Sequence, residues 1–439
     1  MDFAIKVTQF LLSISLLVVL HELGHFIPAR LFKTRVEKFY LFFDPYFSLF
    51  KKKIGDTEYG IGWLPLGGYV KISGMIDESM DTEQMKEPPK PWEFRSKPAW
   101  KRLVIMVGGV TVNVILAFFI YAMMLFAWGK EYIPNENLTY GVYADSLMLE
   151  NGFEQGDRIL MVGDHTPKVL NEVNQEILFG GARSIKILRN GEEKIIVLPE
   201  DIDQEMLASG TQSLFYEQYP TVVDSILPGS NAEKAGFQKN DQLIEIDNQE
   251  VPSFIALRFM LPQIKGKMVE VKMKRGSELV SLQADVDSSG LFGFSPKSPT
   301  EFLETTKQEY SFFESFPAGV TEGTNILVSY VRSLKLIFSS EGVKQVGGFG
   351  TIAGLFGNSW NWQRFWSMTA LLSIILAVMN MLPIPALDGG HVMFLLYEII
   401  TGREPNQKFM EYAQLAGIAI LLTLLLYANG MDLFRWLNN

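Results

Sequence analysis

The chain has no cysteine, only 4 histidines in 439 residues, and no excess of basic charge: 39 Lys+Arg stand against 49 Asp+Glu, a net charge of −10. Without cysteine there are no disulfides, no thiolate metal ligands and no cysteine nucleophile, so any bound metal rests on imidazole and carboxylate. The acidic balance argues against nucleic acid as a partner, because phosphate backbones are bound through neutralising Lys and Arg. A signal-peptide cleavage site is also lacking. The apolar residues 3–20 continue through helix-compatible sequence as far as Pro28, and they read as a retained membrane helix.

Apolar sequence is what the chain has in quantity. Hydrophobic residues make up 48%, and the mean hydropathy of +0.12 is high for a soluble protein yet diluted by something soluble. A bilayer span needs about 20 apolar residues. Four segments qualify, at 3–32, 103–128, 365–382 and 409–428. Arg30, Lys33, Arg35, Lys38, Lys51, Lys52 and Lys53 follow the first, and Arg95, Lys97, Lys101 and Arg102 precede or open the second. Positive charge marks the cytoplasmic side, so this loop is expected inside. Arg403 and Lys408 place the loop before the fourth segment on the same side. Both termini and the stretch 129–360 are then expected outside.

That outer stretch repeats one pattern. Asn151-Gly152-Phe153-Glu154-Gln155-Gly156-Asp157-Arg158-Ile159-Leu160 returns as Lys234-Ala235-Gly236-Phe237-Gln238-Lys239-Asn240-Asp241-Gln242-Leu243-Ile244. Each copy precedes β-branched runs and turn glycines at Asn190-Gly191 and Arg275-Gly276. The A-G-F-x-x-G-D-x-I-L signature resembles PDZ domains. Asn240 stands where glycine is usual, and asparagine is the residue that best tolerates a left-handed turn after glycine. Neither copy carries a G-L-G-F-type carboxylate loop, so capture of peptide C-termini is not expected. Beyond the repeat, residues 324–338 show helical spacing of Ile326, Leu327, Tyr330, Leu334 and Ile337, an amphipathic helix feeding the third span.

The chemistry lies in His21-Glu22-Leu23-Gly24-His25, inside the first apolar segment. On a helix the two histidines fall at i and i+4 on one face, a zinc site with an acid beside it to act as base. Ionisable groups are costly at membrane depth and point to function there. Two histidines buried merely as packing would leave the acid between them unexplained. A catalytic zinc needs a further protein ligand, and Asp388 in Asn380-Met381-Leu382-Pro383-Ile384-Pro385-Ala386-Leu387-Asp388-Gly389-Gly390 is the best candidate. The competing reading of Asp388 is a helix cap on a loop leaving the membrane. The expected topology puts Asp388 at the same side as His21 and His25, so a shared site is possible. His391 is read as second-sphere or interfacial, and His165 as an ordinary loop residue.

The pairing of H-E-L-G-H with N-x-x-P-x-P-x-L-D-G-G resembles the site-2 protease family of intramembrane zinc proteases, and the tandem insert narrows it to the bacterial regulator of sigma-E protease branch. The resemblance covers essentially the whole chain. It implies Zn2+ held by His21, His25 and Asp388, Glu22 as general base, and Asn380 in contact with substrate. It implies that Pro65-Leu66-Gly67-Gly68-Tyr69-Val70 belongs to a membrane-dipping β-hairpin whose Gly67, Gly68 and Tyr69 bind substrate. Gly108-Gly109-Val110-Thr111-Val112-Asn113 matches the family's G-x-x-x-N element, with Asn113 facing the bundle interior. Phe349 departs from the family, where proline often follows glycine in the element before the third span.

The implied fold is a multi-pass α-helical membrane protein with four transmembrane helices, two inserted PDZ-like β/α domains and a membrane-associated β-hairpin. Its expected parts are a first transmembrane helix (1–32), a cytoplasmic loop with the hairpin (33–102) and a second transmembrane helix (103–129). PDZ-like domains follow at 130–205 and 206–302, then an amphipathic linker (303–364), a third transmembrane helix with the L-D-G-G (365–390), a cytoplasmic loop (391–408), a fourth helix (409–429) and a tail (430–439). The implied activity is the second cleavage in regulated intramembrane proteolysis. Its substrates are single-span membrane proteins of the trimmed anti-sigma-factor type, with remnant signal peptides as a further class. Membrane lipid surrounds the enzyme, in a bacterial inner membrane. Two other functions compete. A zinc transporter needs ligands spread along a path through the bilayer, whereas these cluster at one depth. An inactive PDZ scaffold has no need of Glu22 or Asp388.

Overall fold

A computed structural model describes residues 2–75, 87–209, 213–337, 347–357 and 359–438. It divides into two compact units, Met1–Gly129 with Glu309–Asn439, and Lys130–Gln308.

The first unit is helical. Helices α1 (Asp2–Leu31), α2 (Ala99–Trp128), α3 (Phe312–Ile337), α4 (Trp362–Met381), α5 (Asp388–Thr401) and α6 (Gln407–Asn438) form it. Among the described residues, α1, α2, α4 and α6 are long and apolar enough to cross a membrane. Pro28 sits inside α1 without ending it. The amphipathic element begins at Phe312, well before residue 324, and Phe338 lies outside the described residues.

The region expected as a third membrane helix through 390 is instead two helices. Pro383 and Pro385 cannot donate backbone hydrogen bonds and bias the residues before them away from helix. The chain leaves α4 at Met381 and re-enters helix at Asp388. The L-D-G-G therefore opens α5, and much of the expected loop 391–408 is helical. Val392 and Leu395 are buried there while Met393, Leu396, Tyr397, Ile399 and Ile400 are exposed, and the helix of 14 residues is too short to span a bilayer.

Between α1 and α2 lie β1 (Val36–Ile54) and β2 (Thr57–Ile72). This is more than a two-stranded hairpin. Lys38, Phe39, Tyr40 and Leu41 pair on one side with Glu58, Tyr59, Gly60 and Ile61, and on the other with Lys71, Val70, Tyr69 and Gly68. Residues 48–54 pair with 57–62. Both strands double back, giving the order 48–54, 57–62, 38–41, 68–72, with the central pair 57–62/38–41 running parallel and the two outer pairs antiparallel. Phe42 and Tyr46, at φ 68° and 72°, make the reversal in β1. Residues 68–72 are thus an edge, paired on one side only among the described residues.

The second unit shows the repeat as structure. Its first half holds the antiparallel strands Arg158–Val162, Ser184–Arg189 and Glu192–Val197, and its second half Gln242–Ile246, Met268–Arg275 and Glu278–Asp285. Gly156 and Asn240, at equivalent positions, take φ values of 92° and 71°. The next residue is a buried aspartate in both, 1% and 0% exposed. Asp157 accepts two bonds from Arg189 at 2.7 Å, and Asp241 two from Arg275 at 2.8 Å. Each arginine also donates to the signature glycine carbonyl, Gly152 or Gly236, at 2.9 Å. Two-point pairing satisfies the buried carboxylate and ties the turn to the strand behind it. The halves meet through Phe259, which stacks on Tyr143 and packs edge-on against Tyr216 at 5.5 and 5.4 Å. The ends of the unit are laced together, Lys130–Tyr132 pairing with Thr306–Gln308.

Candidate metal centre

The site begins where α1 and α2 cross. A Cβ on Gly24 would stand 2.4 Å from the Gly108 carbonyl oxygen, so the backbones touch and no side chain fits between them. One residue on, a Cβ on Gly109 would lie 2.4 Å from His25 Nε2 and 2.7 Å from His21 Cε1. The bare backbone of α2 is the floor under both imidazoles. If the two rings hold a metal, substituting Gly109 with alanine is expected to push them out of place and weaken metal binding by about tenfold or more, the scale seen when groups around metal ligands are disturbed. Chelator competition on the purified variant checks this.

Each imidazole is oriented by α2. His25 Nδ1 lies 2.9 Å from the Ile105 carbonyl, which fixes the proton on Nδ1 and leaves the Nε2 lone pair free. His21 Nδ1 lies 3.2 Å from the side-chain amide of Asn113. Asn113 is fully buried, and its backbone carbonyl accepts a 2.7 Å bond from Ser373 of α4. Turning Asn113 Oδ1, which otherwise has no partner, toward Nδ1–H leaves the His21 Nε2 lone pair facing inward as well.

Asp388 completes the cluster from the first turn of α5. Its Oδ2 lies 3.3 Å from the Nε2 of both histidines, which are 3.2 Å from each other. All three donor atoms fall within 4.8 Å of one another. Asp388 Oδ2 is buried and has no hydrogen-bond partner. Two lone pairs and an anionic oxygen aimed at one point are unfavourable in isolation and suit a cation. Two imidazoles and a carboxylate are a donor set that zinc takes.

Glu22, between the histidines, lines the same cavity of about 810 Å³ and takes a backbone hydrogen bond from Val70 of β2. Asn380, in the last turn of α4, reaches to 3.4 Å from His21 Nε2. Gly67, Gly68 and Tyr69 lie on β2 and line the cavity opposite, so the sequence-predicted residues converge there. They belong to a strand and its bend; the turn of the hairpin is at Gly55-Asp56. Tyr69 donates to Asp44 at 2.8 Å, and Tyr40 to Glu58 at 2.7 Å. Burial and the Asp44 carboxylate push the Tyr69 phenol up, and burial with Glu58 pushes Tyr40 to about 12. Both stay protonated donors that brace the strand. His391, one turn along α5, also lines the cavity. His165 is elsewhere, in the Lys130–Gln308 unit, 3.3 Å from Glu172.

Sequence reasoning gave Gly109 and Asn113 in the G-x-x-x-N element without the histidines they meet, and missed the Ile105 carbonyl. The profile of peptidase family M50 matches residues 9–424. The chain belongs to peptidase family M50. It is similar over 98% of its length to zinc metalloproteases, so named, of Ralstonia nicotianae (28% identical, 98% of that protein covered) and Thermotoga maritima (24%, 99% covered). A third, of Neisseria meningitidis, is 27% identical with 98% of both chains covered. M50 peptidases are zinc-dependent metallopeptidases of the site-2 type, and this M50 chain has the apolar helices of a multi-pass membrane protein.

Proposed function

We propose that His21, His25 and Asp388 hold the zinc, that Glu22 is the general base, and that the enzyme cuts the membrane-spanning segment of single-span proteins. The observation that carries this reading is the meeting of two imidazole nitrogens and a carboxylate oxygen, beside a glutamate, between helices apolar enough to lie in a bilayer. Zinc held there supplies Lewis-acid polarisation of the scissile carbonyl and lowers the pKa of water toward neutrality. Glu22 accepts the proton of the attacking water and delivers it to the leaving amine nitrogen. Ile105 and Asn113 keep the imidazole Nε2 atoms aimed at the metal while this proton moves. A helical substrate hides its carbonyls in i→i−4 bonds, so a stretch must unwind. The edge strand at residues 68–72, where Val70 N–H meets Glu22, offers strand addition to that stretch, and Asn380 holds its backbone beside His21.

In this reading the four spanning helices are transmembrane, and the Lys130–Gln308 unit is a PDZ tandem on the periplasmic side of a bacterial inner membrane. Both chain termini share that side. The sheet formed by β1 and β2 dips into the cytoplasmic face. The substrates are of the trimmed anti-sigma-factor type, with remnant signal peptides as a second class. Comparing membrane peptides by mass spectrometry in cells carrying wild-type or Glu22→Gln enzyme tests the assignment. Single-span segments that accumulate with the variant support it, and identical peptide sets contradict it.

Unwinding predicts a substrate preference. Proline removes a helix hydrogen bond and costs a helix interior roughly 3 kcal/mol. A span with proline or glycine near the scissile bond is expected to be cut about tenfold faster or more than an all-leucine span, since part of that cost is already met. Equal initial rates on the two spans in one detergent count against the unwinding step.

A further inference from the structure

Ile105 and Asn113 hold the two histidines, but among the described residues no such hydrogen bond is seen to the Asp388 side chain beyond the histidines themselves. Asp388 follows a segment broken by Pro383 and Pro385, in which Ala386 has a φ of 90°. Its position is therefore set by how α5 as a whole is seated. Val392 and Leu395 of α5 pack with Ile105 and Met106 of α2, but an apolar face alone tolerates sliding. Further along α5, Glu398 forms an ion pair with Arg102 of α2, with side chains only 14% and 12% exposed. Glu404 approaches Arg102 at 3.6 Å but is 73% exposed.

The α2 residues around the metal site lie on one stripe. Arg102, Ile105, Gly109 and Asn113 follow at intervals of three, four and four, which on a helix is a single face. Asn113 meets His21, Ile105 meets His25, Gly109 lies under both rings, and Arg102 meets the helix that carries Asp388. A largely buried ion pair is a poor source of stability, and in some proteins such a group fixes register instead. Glu398 is ten residues from Asp388, about 15 Å along the helix, so a slip at one end moves the other. We propose that Arg102 is a positioning residue that sets Asp388 at the metal through Glu398. This rests on the reading of Asp388 as a zinc ligand.

The test is the zinc dissociation constant of the full-length protein in detergent, by chelator competition, alongside the melting temperature of the zinc-free form. Arg102→Gln and Glu398→Gln are each expected to raise the constant about tenfold or more, in the range for lost support around a ligand. Glu398→Asp keeps the charge, shortens the reach by one methylene, and is expected to lose about threefold. The exchanged pair R102E/E398R is expected to recover to within about threefold of wild type, because coupled residues are non-additive. Glu404→Gln is expected to bind zinc as wild type does. The clamp is overturned if folded Arg102→Gln, Glu398→Gln and Glu398→Asp bind zinc as tightly as wild type while only melting temperature falls. It is also overturned if the exchange binds no better than the single variants. Asp388→Ala separates the two claims. Wild-type affinity in that variant overturns the ligand assignment and the clamp with it, whereas weakened zinc there with unchanged affinity in the Arg102 and Glu398 variants overturns the clamp alone.

Discussion

Glu22→Gln is expected to keep one zinc per chain and to lose about 10³-fold or more in cleavage, within the span attributed to a positioned acid–base group. The reasoning is geometric. Glu22 lies in the cavity beside the metal cluster but is not one of the three residues whose donor atoms converge. Glutamine has the same shape and can neither take nor return a proton at neutral pH. The metal and the fold are therefore expected to survive while the proton transfer fails. His21→Ala and His25→Ala are expected to fail in the opposite order, losing zinc first and activity as a consequence. Zinc content by mass spectrometry and cleavage of a purified single-span substrate, measured on the same preparations, separate these outcomes. Turnover at the wild-type rate by Glu22→Gln would remove Glu22 from the chemistry.

Removing the Lys130–Gln308 unit is expected to let the enzyme cut substrates that still carry a large external domain. The unit has its own two hydrophobic cores, and it joins the chain through strands at its two ends that pair side by side, Lys130 opposite Gln308. Partners in such a ladder are about 4.5–5.5 Å apart, so a short glycine–serine linker can replace residues 130–308 without pulling α2 and α3 apart. A folded body of 130–308 held at that point is expected to exclude bulky substrates by size. Peptide capture is the competing role, and the unit is poorly arranged for it in one place. The strand edge at Leu214 and Phe215, a natural site for strand addition, already has its backbone groups bonded to the side chain of Asn174. Size exclusion predicts that the deleted enzyme cuts untrimmed and trimmed substrates alike. Capture predicts slower cutting of the trimmed substrate. Continued resistance of the untrimmed substrate, in a deleted enzyme that binds zinc and cuts the trimmed one, rules out size exclusion.

Local features were legible in the chain before its structure. The i, i+4 spacing puts His21 and His25 on one face whatever surrounds them, and Pro383 and Pro385 announce a broken helix near Asp388. The left-handed residue at Asn240 follows from its place in the repeat. Features made by packing were not legible. Nothing near His25 says that its Nδ1 partner is a backbone carbonyl 80 residues away, since a main-chain group has no side-chain identity to read. Gly109 reads from the sequence only as the glycine of the G-x-x-x-N element, and its place under the two imidazoles shows once α1 is laid against α2. The sheet order of β1 and β2 depends on residues 38–41 pairing on both sides, while the sequence pattern shows only the adjacent strands. The helix at Asp388–Thr401 was not marked by periodicity, since residues 392–397 are apolar without a break, and a search for spans passes over an apolar run of that length.

Zinc-edge X-ray absorption of the purified enzyme tests the central claim most directly, because a chain without cysteine offers the metal only nitrogen and oxygen. The arrangement of His21, His25 and Asp388 predicts two imidazole ligands at about 2.0–2.1 Å and oxygen at about 2.0–2.2 Å, with Asp388→Ala altering the oxygen shell and Glu22→Gln leaving both shells intact. A spectrum with fewer than two imidazoles, or one that Asp388→Ala leaves unchanged, contradicts the account.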